Sequence, residues 1–339
     1  MATNDMAERN IARDEEAAGK PFVLAHLSDL HLAPLPRPRV QELASKRLIG
    51  YINWQRSRHR LHRRDALDAI TQDLRSEQPD HVAITGDLVN IALPAEFVHA
   101  RRWLEAVGQP ADVSVVPGNH DAYVDAASLH YDRHWSAYMA GDDALSGTKC
   151  DRQGRAANLT PPSCASRQGG AEKTLFPYLR RRGPLALIGV STAVATPPFM
   201  ATGRLGEPQI ARMAEMLDTL RTRFRVVMIH HPPLEQPSGY HKRLVDAARF
   251  RQAIAAVGAE LVIHGHDHVH ALAWLAGKDG RVPVIGVPSA SGGARTKHAG
   301  AYNLYRINGG PGAWRCEVVT RGLRPLGSVA ELKRLALSG

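Results

Sequence analysis

Five short apolar runs in this chain each end in a cluster of histidine, aspartate or asparagine. Phe22 to Leu27 leads to Asp29 and His31, and Val82 to Ile84 to Gly86 and Asp87. Val113 to Val116 leads to Gly118, Asn119, His120 and Asp121, Val226 to Ile229 to His230, His231 and Pro232, and Leu261 to Ile263 to Gly265, His266, Asp267 and His268. Apolar runs of this length, bounded by Gly and Pro, read as buried strands. In an open α/β sheet ligands bind beyond the carboxyl ends of the strands. The five clusters are therefore expected to meet at one edge as a single site.

Spacing within the clusters has a physical reading. Successive side chains on extended backbone point to opposite faces, so residues two apart point the same way. On that basis Asp29 and His31 grip one ion, and His266 and His268 approach one pair of ions. Asn119 and His120, being adjacent, point apart, which suits one metal ligand and one residue facing substrate.

Taken in this order, the motifs resemble the calcineurin-like metallophosphoesterase family, in its bacterial phosphodiesterase type, over roughly residues 22 to 290. The resemblance implies an α/β fold, a four-layer α/β/β/α sandwich in a single domain. It also implies a two-metal centre in which Asp29, His31 and His268 hold one ion, Asn119, His230 and His266 the other, and Asp87 bridges both. His120 would face the scissile phosphate as the proton donor, and a metal-bridging hydroxide would attack phosphorus. Two divalent ions against the carboxylates of Asp29 and Asp87 leave the site cationic and attractive to phosphate. A mixed imidazole and carboxylate set suits Mn, Fe, Zn or Co better than Ca or Mg.

The signature of the serine/threonine phosphoprotein phosphatases is absent, since Leu88-Val89-Asn90 follows Asp87 and Asp121 follows His120. That signature carries an arginine, and with none in these motifs the site has little to grip the extra charge of a monoester dianion, so phosphodiesters are the expected substrates. The other readings are a pyrophosphohydrolase of a nucleotide-linked lipid (UDP-diacylglucosamine type) at the membrane surface, and a nuclease. No coiled-coil insertion or DNA-capping domain supports the nuclease. Retention of all seven ligands and His120 argues against a scaffold without catalysis.

The most individual segment is 35–64. It carries Arg37, Arg39, Lys46, Arg47, Arg56, Arg58, Arg60, Arg63 and Arg64 against a single acid, Glu42, with Val40, Leu43, Ala44, Leu48, Tyr51 and Ile52 at helical spacing and Trp54 close behind. Such a basic amphipathic helical insertion lies on an anionic membrane surface through residues 37–64, caps an anionic substrate, or packs its apolar face on the core. The net charge of +10 admits each reading, nucleic acid included. The substrate expected is a small-molecule or lipid-linked phosphate ester.

With 339 residues and 44% hydrophobic content the chain can bury one large core. Residues 1–20 read as a disordered tail whose Asp5, Glu8, Asp14, Glu15 and Glu16 exclude a secretory signal. The phosphoesterase domain is expected over 21–320, with a mobile loop at 140–172 and a C-terminal tail at 321–339. No apolar run approaches the ~18 residues of a membrane span. The three cysteines, Cys150, Cys164 and Cys316, form no metal pattern and are expected reduced. A cytoplasmic protein is implied, peripheral to the inner membrane face if the insertion meets lipid. Helices are expected near 65–77, 95–107, 207–222 and 245–257, and strands at 271–275, 282–287, 302–307 and 314–319. His26, His81, His264 and His270 are expected to pack in strands or hydrogen bond to ligands, Asp121 and Asn90 to orient ligands, and His231 stays open between packing and substrate contact.

Overall fold

The computed structural model describes residues 20–142, 149–150, 156–157, 175–234 and 239–337. Most of the expected tail at 1–20, most of the expected loop at 140–172, and Cys164 lie outside the described residues.

In chain order, β1 (Phe22–Leu27) precedes the insertion, which contains α1 (Arg47–Asn53), and α2 (Arg64–Ser76) follows it. Next come β2 (His81–Ile84), α3 (Pro94–Val107), β3 (Val113–Val115) and α4 (Ala127–Trp135). After the two-residue pair β4 (Lys149–Cys150) and β5 (Ala156–Ala157) stand β6 (Tyr178–Arg182), β7 (Leu185–Gly189), α5 (Glu207–Thr219) and β8 (Phe224–Met228). The chain continues through α6 (Ala247–Val257), β9 (Leu261–His264), β10 (Ala271–Ala276), β11 (Arg281–Gly286), β12 (Ala301–Asn308), β13 (Arg315–Leu323) and β14 (Val329–Leu337).

Two six-stranded mixed sheets result, in the orders β14-β13-β12-β1-β2-β3 and β10-β11-β9-β8-β7-β6. In each the central strands run parallel: β1 with β2 and β2 with β3 in one, β7 with β8, β8 with β9 and β9 with β11 in the other. Alternation along the strands sets the layers. Val226, Met228, Leu261 and Ile263 join the core shared with Leu24, Leu27 and Leu304 of the first sheet. Their neighbours Val227 and Val262 face the other way, onto Ile210, Met213 and Leu217 of α5 and Phe250 and Ile254 of α6. The apolar stripe Ala66, Leu67, Ile70 and Leu74 of α2 is buried against the first sheet. Helix, sheet, sheet and helix thus stack in the expected four layers.

Residues 321–337 are not a tail. They complete β13 and form β14, which pairs with it from Cys316↔Leu337 to Leu323↔Val329. Val329, Leu335 and Leu337 reach the core, while Glu331, Lys333 and Arg334 give this edge strand the charge that hid its pattern.

Candidate metal centre

The five strand ends converge, tied by backbone bonds from Asp29 N–H to the Gly86 carbonyl at 2.9 Å, His31 N–H to Asp87 at 3.0 Å and Gly265 N–H to His230 at 3.2 Å. The backbone carrying the ligands is not extended. Asp29, His31, Asp87, His266 and His268 have φ of 53°, 40°, 55°, 72° and 56°. The two-apart spacing therefore works by tight left-handed turns, not by strand alternation, and such backbone costs of order 1–3 kcal/mol per residue and clusters at functional sites. The loops also touch: a Cβ on Gly118 would land on the Asp87 carboxylate.

All seven expected ligands meet there in two groups. In one, His268 Nε2 stands 3.1 Å from Asp29 Oδ1 and 3.3 Å from His31 Nε2, with His31 Nε2 4.0 Å from Asp29 Oδ1. In the other, Asn119 Oδ1 lies 2.9 Å from His266 Nδ1 and 3.2 Å from His230 Nε2, and those two nitrogens are 3.3 Å apart. Asp87 Oδ2 lies between the groups, 3.4 Å from His230 Nε2 and 3.9 Å from His31 Nε2.

The donor chemistry fits cations. Burial, then the neighbouring His62 and Arg58, hold His31 well below its ordinary pKa, and burial, then His231, does the same to His266. Both are neutral imidazoles with a lone pair to give. Burial works against ionising Asp87, yet His230 and His120 outweigh it and keep the carboxyl well below the usual range. His230 answers in kind: burial opposes its charge, but Asp87 and Asp29 raise it to about 9. The same two carboxylates would draw a metal ion. Asp29 Oδ1 is buried without an aligned hydrogen-bond donor, as a ligand oxygen would be.

His120 is part of the same cluster. Its Nδ1 is held by the Asn90 carbonyl, its backbone N–H donates to Asp87 Oδ1 at 2.7 Å, and its ring meets that of His31 edge-on at 4.8 Å. Asp121 orients the loops: it accepts N–H groups from Asp87, Leu88, Val89 and Gly118 at 2.8 to 3.1 Å. Burial, then the Asp87 charge, push Asp121 up to about 7. Asn90 Nδ2 donates to the Leu32 carbonyl at 2.9 Å. His231 packs: Thr192 Oγ1 at 2.6 Å and the Ala201 carbonyl at 3.0 Å take both ring nitrogens. His26 and His81 bond Thr85 and Ser114 at 2.8 Å each, His264 the Gly265 carbonyl at 3.0 Å, and His270 is exposed.

Three contributors were not foreseen. The His62 ring packs against that of His31, centroids 4.2 Å apart and tilted by 53°, and Arg58 Nη1 donates to His120 Nε2 at 2.9 Å and Nη2 to His31 Nε2 at 3.3 Å. Both come from the insertion, whose inward face is Gly50, Trp54 and Arg58 while Val40, Leu48 and Ile52 of the apolar set are exposed. Glu96 accepts the N–H groups of Asn90, Ile91 and Leu93 at 2.6, 3.2 and 2.9 Å and fixes the loop after Asp87. Pro94 followed by Glu96 is a helix-start signal that points to it.

A family model described as calcineurin-like phosphoesterase matches residues 22–270. A glycerophosphodiester phosphodiesterase, GpdQ, of Enterobacter lignolyticus (strain SCF1) is 35% identical over 102 residues, 30% of each chain. The purple acid phosphatase PPD1 of yellow lupin (Lupinus luteus) superposes with a TM-score of 0.55 at 11% identity, over 93% of this chain and 53% of that one. The chain thus spans 30% and 53% of the lengths of these two proteins. At that identity the second likeness concerns the fold alone.

Proposed function

The chain belongs to the calcineurin-like phosphoesterase family, and from that premise we propose that it hydrolyses phosphodiester bonds at a dinuclear metal centre. The observation that carries the reading is the pair of donor groups meeting at Asp87, whose Oδ2 lies 3.4 Å from His230 and 3.9 Å from His31. Asp29, His31 and His268 would hold one ion, Asn119, His230 and His266 the other, and Asp87 both, with Mn, Fe, Zn or Co suited to such a set. When bound, two such ions supply Lewis acidity at the phosphate oxygens and a water of lowered pKa. The protein's part is to aim. Asp121 and Glu96 hold the loops, and the Asn90 carbonyl fixes the His120 ring, so that its Nε2 faces the centre. There Nε2 accepts from Arg58 at 2.9 Å, and to give the leaving oxygen a proton it must first gain one, which burial, then Arg58, oppose and the Asp87 charge favours. The diester class is supported by the likeness to the glycerophosphodiester phosphodiesterase over 102 residues and by Leu88-Val89-Asn90 in place of the phosphoprotein-phosphatase signature.

A second reading, a lipid-linked pyrophosphate at a membrane surface, is favoured by exposed Val40, Leu48, Ile52 and Leu61 on the basic insertion. No helix among the described residues is long and apolar enough to cross a membrane. Metal analysis followed by kinetics on bis-nitrophenyl and nitrophenyl phosphate tests the first reading. We expect kcat/KM to favour the diester at least ~10-fold, about 1.4 kcal/mol at the transition state. Weak turnover of both, with strong turnover of a nucleotide-diphosphate lipid in detergent, supports the second. A clear preference for the monoester overturns both.

A further inference from the structure

The insertion is pinned at both ends. Lys46 Nζ donates to the Thr196 carbonyl at 2.8 Å and Arg47 Nε to Ile91 at 3.1 Å, while Arg63 N–H donates to the Ser291 carbonyl at 2.8 Å and His62 Nδ1 meets Ser291 Oγ at 3.0 Å. Gly50 lets it press onto the loop after Asp87, since a Cβ there would stand 2.6 Å from both Ile91 Cγ2 and the Tyr123 hydroxyl. Between the anchors the helix widens into a π turn at Trp54–Arg58, a feature frequent at functional sites. Buried Trp54 stacks on His62 with rings 6.5 Å apart and 6° from parallel. These restraints aim Arg58 inward.

Among the described residues Arg58 has no carboxylate partner; its hydrogen bonds go to the ring nitrogens of His120 and His31. A charged group so placed is incompletely compensated. Its planar fork matches two oxygens of a phosphate. His31 turns Nδ1 to the Val89 carbonyl at 3.2 Å, so Nε2 is the nitrogen a metal would take; with the centre loaded the Nη2 arm is left for an anion, and a proton on His120 Nε2, which its acid role requires, frees Nη1 beside it. We propose that Arg58 is a substrate-binding residue that grips the non-bridging phosphate oxygens beside His120 and tempers the discrimination between dianionic monoesters and monoanionic diesters. The inference rests on the phosphoesterase reading above. It also alters the expectation from the sequence, where no arginine stood in the motifs to hold the second charge of a monoester. Arg58 brings one from outside them.

The test compares wild type with R58Q and R58K, each loaded with Mn²⁺, by calorimetric titration with inorganic phosphate, metal analysis and kinetics on both nitrophenyl esters. In R58Q phosphate affinity should fall at least ~10-fold, as expected for loss of a charge-assisted contact, at unchanged metal content. The monoester kcat/KM should fall further than that of the diester, and R58K should recover part of the phosphate affinity as a point charge without the fork. Phosphate affinity unchanged in R58Q, or lost only in step with bound metal, overturns the proposal. If R58Q does not fold, the comparison of R58K with wild type decides, since full affinity in R58K removes the fork. Arg58-dependent phosphate binding in a protein that turns over no diester leaves the grip standing and removes the phosphodiesterase reading.

Discussion

Asp121 Oδ2 accepts the backbone N–H of Asp87 at 2.8 Å, so the carboxylate proposed to serve both ions is itself held by a second, fully buried carboxylate two residues beyond Asn119. The same oxygen takes the Gly118 N–H at 2.8 Å, which joins the two loops into one unit. Asp121→Asn places an amide N–H₂ against these donors. Each buried N–H left unsatisfied costs ~1–3 kcal/mol. The variant should unfold at lower denaturant and retain less metal of both kinds. A wild-type midpoint with full metal content would show that the loops hold without Asp121.

His120 separates chemistry from metal retention. It is not among the proposed ligands and its ring is set by the Asn90 carbonyl. His120→Ala should keep both metals while kcat falls by ~10²–10⁴, the usual worth of a positioned acid or base. The loss should shrink for nitrophenol esters, whose leaving group needs no proton. Equal losses for good and poor leaving groups would take His120 out of the acid role.

Much of this was readable because it is local. The runs before Asp29, Asp87, Asn119, His230 and His266 are apolar and each stops at a short polar cluster, three of them through Gly or Pro, and a buried parallel strand leaves that trace. What the sequence hid is compensated at long range. In β6, Tyr178–Arg182 holds three arginines and does not look buried, yet Arg180 is fully enclosed, with donors to the carbonyls of Ala140, Pro110, Val113 and Ala137 at 2.6 to 2.8 Å. Arg58 was lost among its neighbours for the opposite reason. Nine cations share the insertion, and only the π turn and the pinned ends decide which of them faces in.

The outer face of the insertion carries its own test. Leu48 and Ile52 are 47% and 40% exposed, Leu61 49%, and Arg56 and Arg60 stand exposed beside them. If this face meets lipid, the protein should sediment with anionic vesicles more than with neutral ones, and 0.5 M salt should release it because exposed charges are screened within ~3–10 Å. Arg56→Gln with Arg60→Gln should release it at low salt, and Leu48→Ser with Ile52→Ser should weaken what remains. Arg58 is left in place because it faces the centre. Indifference to lipid charge in wild type would return the face to solvent.

His81 lies in β2, away from the centre, with Nε2 bonded to Ser114 Oγ at 2.8 Å and Nδ1 buried without a partner. Burial, then Arg180 and Arg182, lower its pKa to about 3. The unfolded chain takes up this proton near the ordinary value of 6.5, while the folded chain refuses it until about 3. Between those values the unfolded state holds more protons, so stability is complete above pH 6.5 and is lost as pH falls through the window, by about 1.4 kcal/mol per pH unit at most. His81→Gln keeps a polar reach to Ser114 but cannot titrate. It should be less stable than wild type at pH 7.5, yet lose roughly 2 kcal/mol less between pH 7 and 5. Urea midpoints at the two pH values measure this, and parallel declines for the two proteins would mean that His81 is not held neutral by the fold.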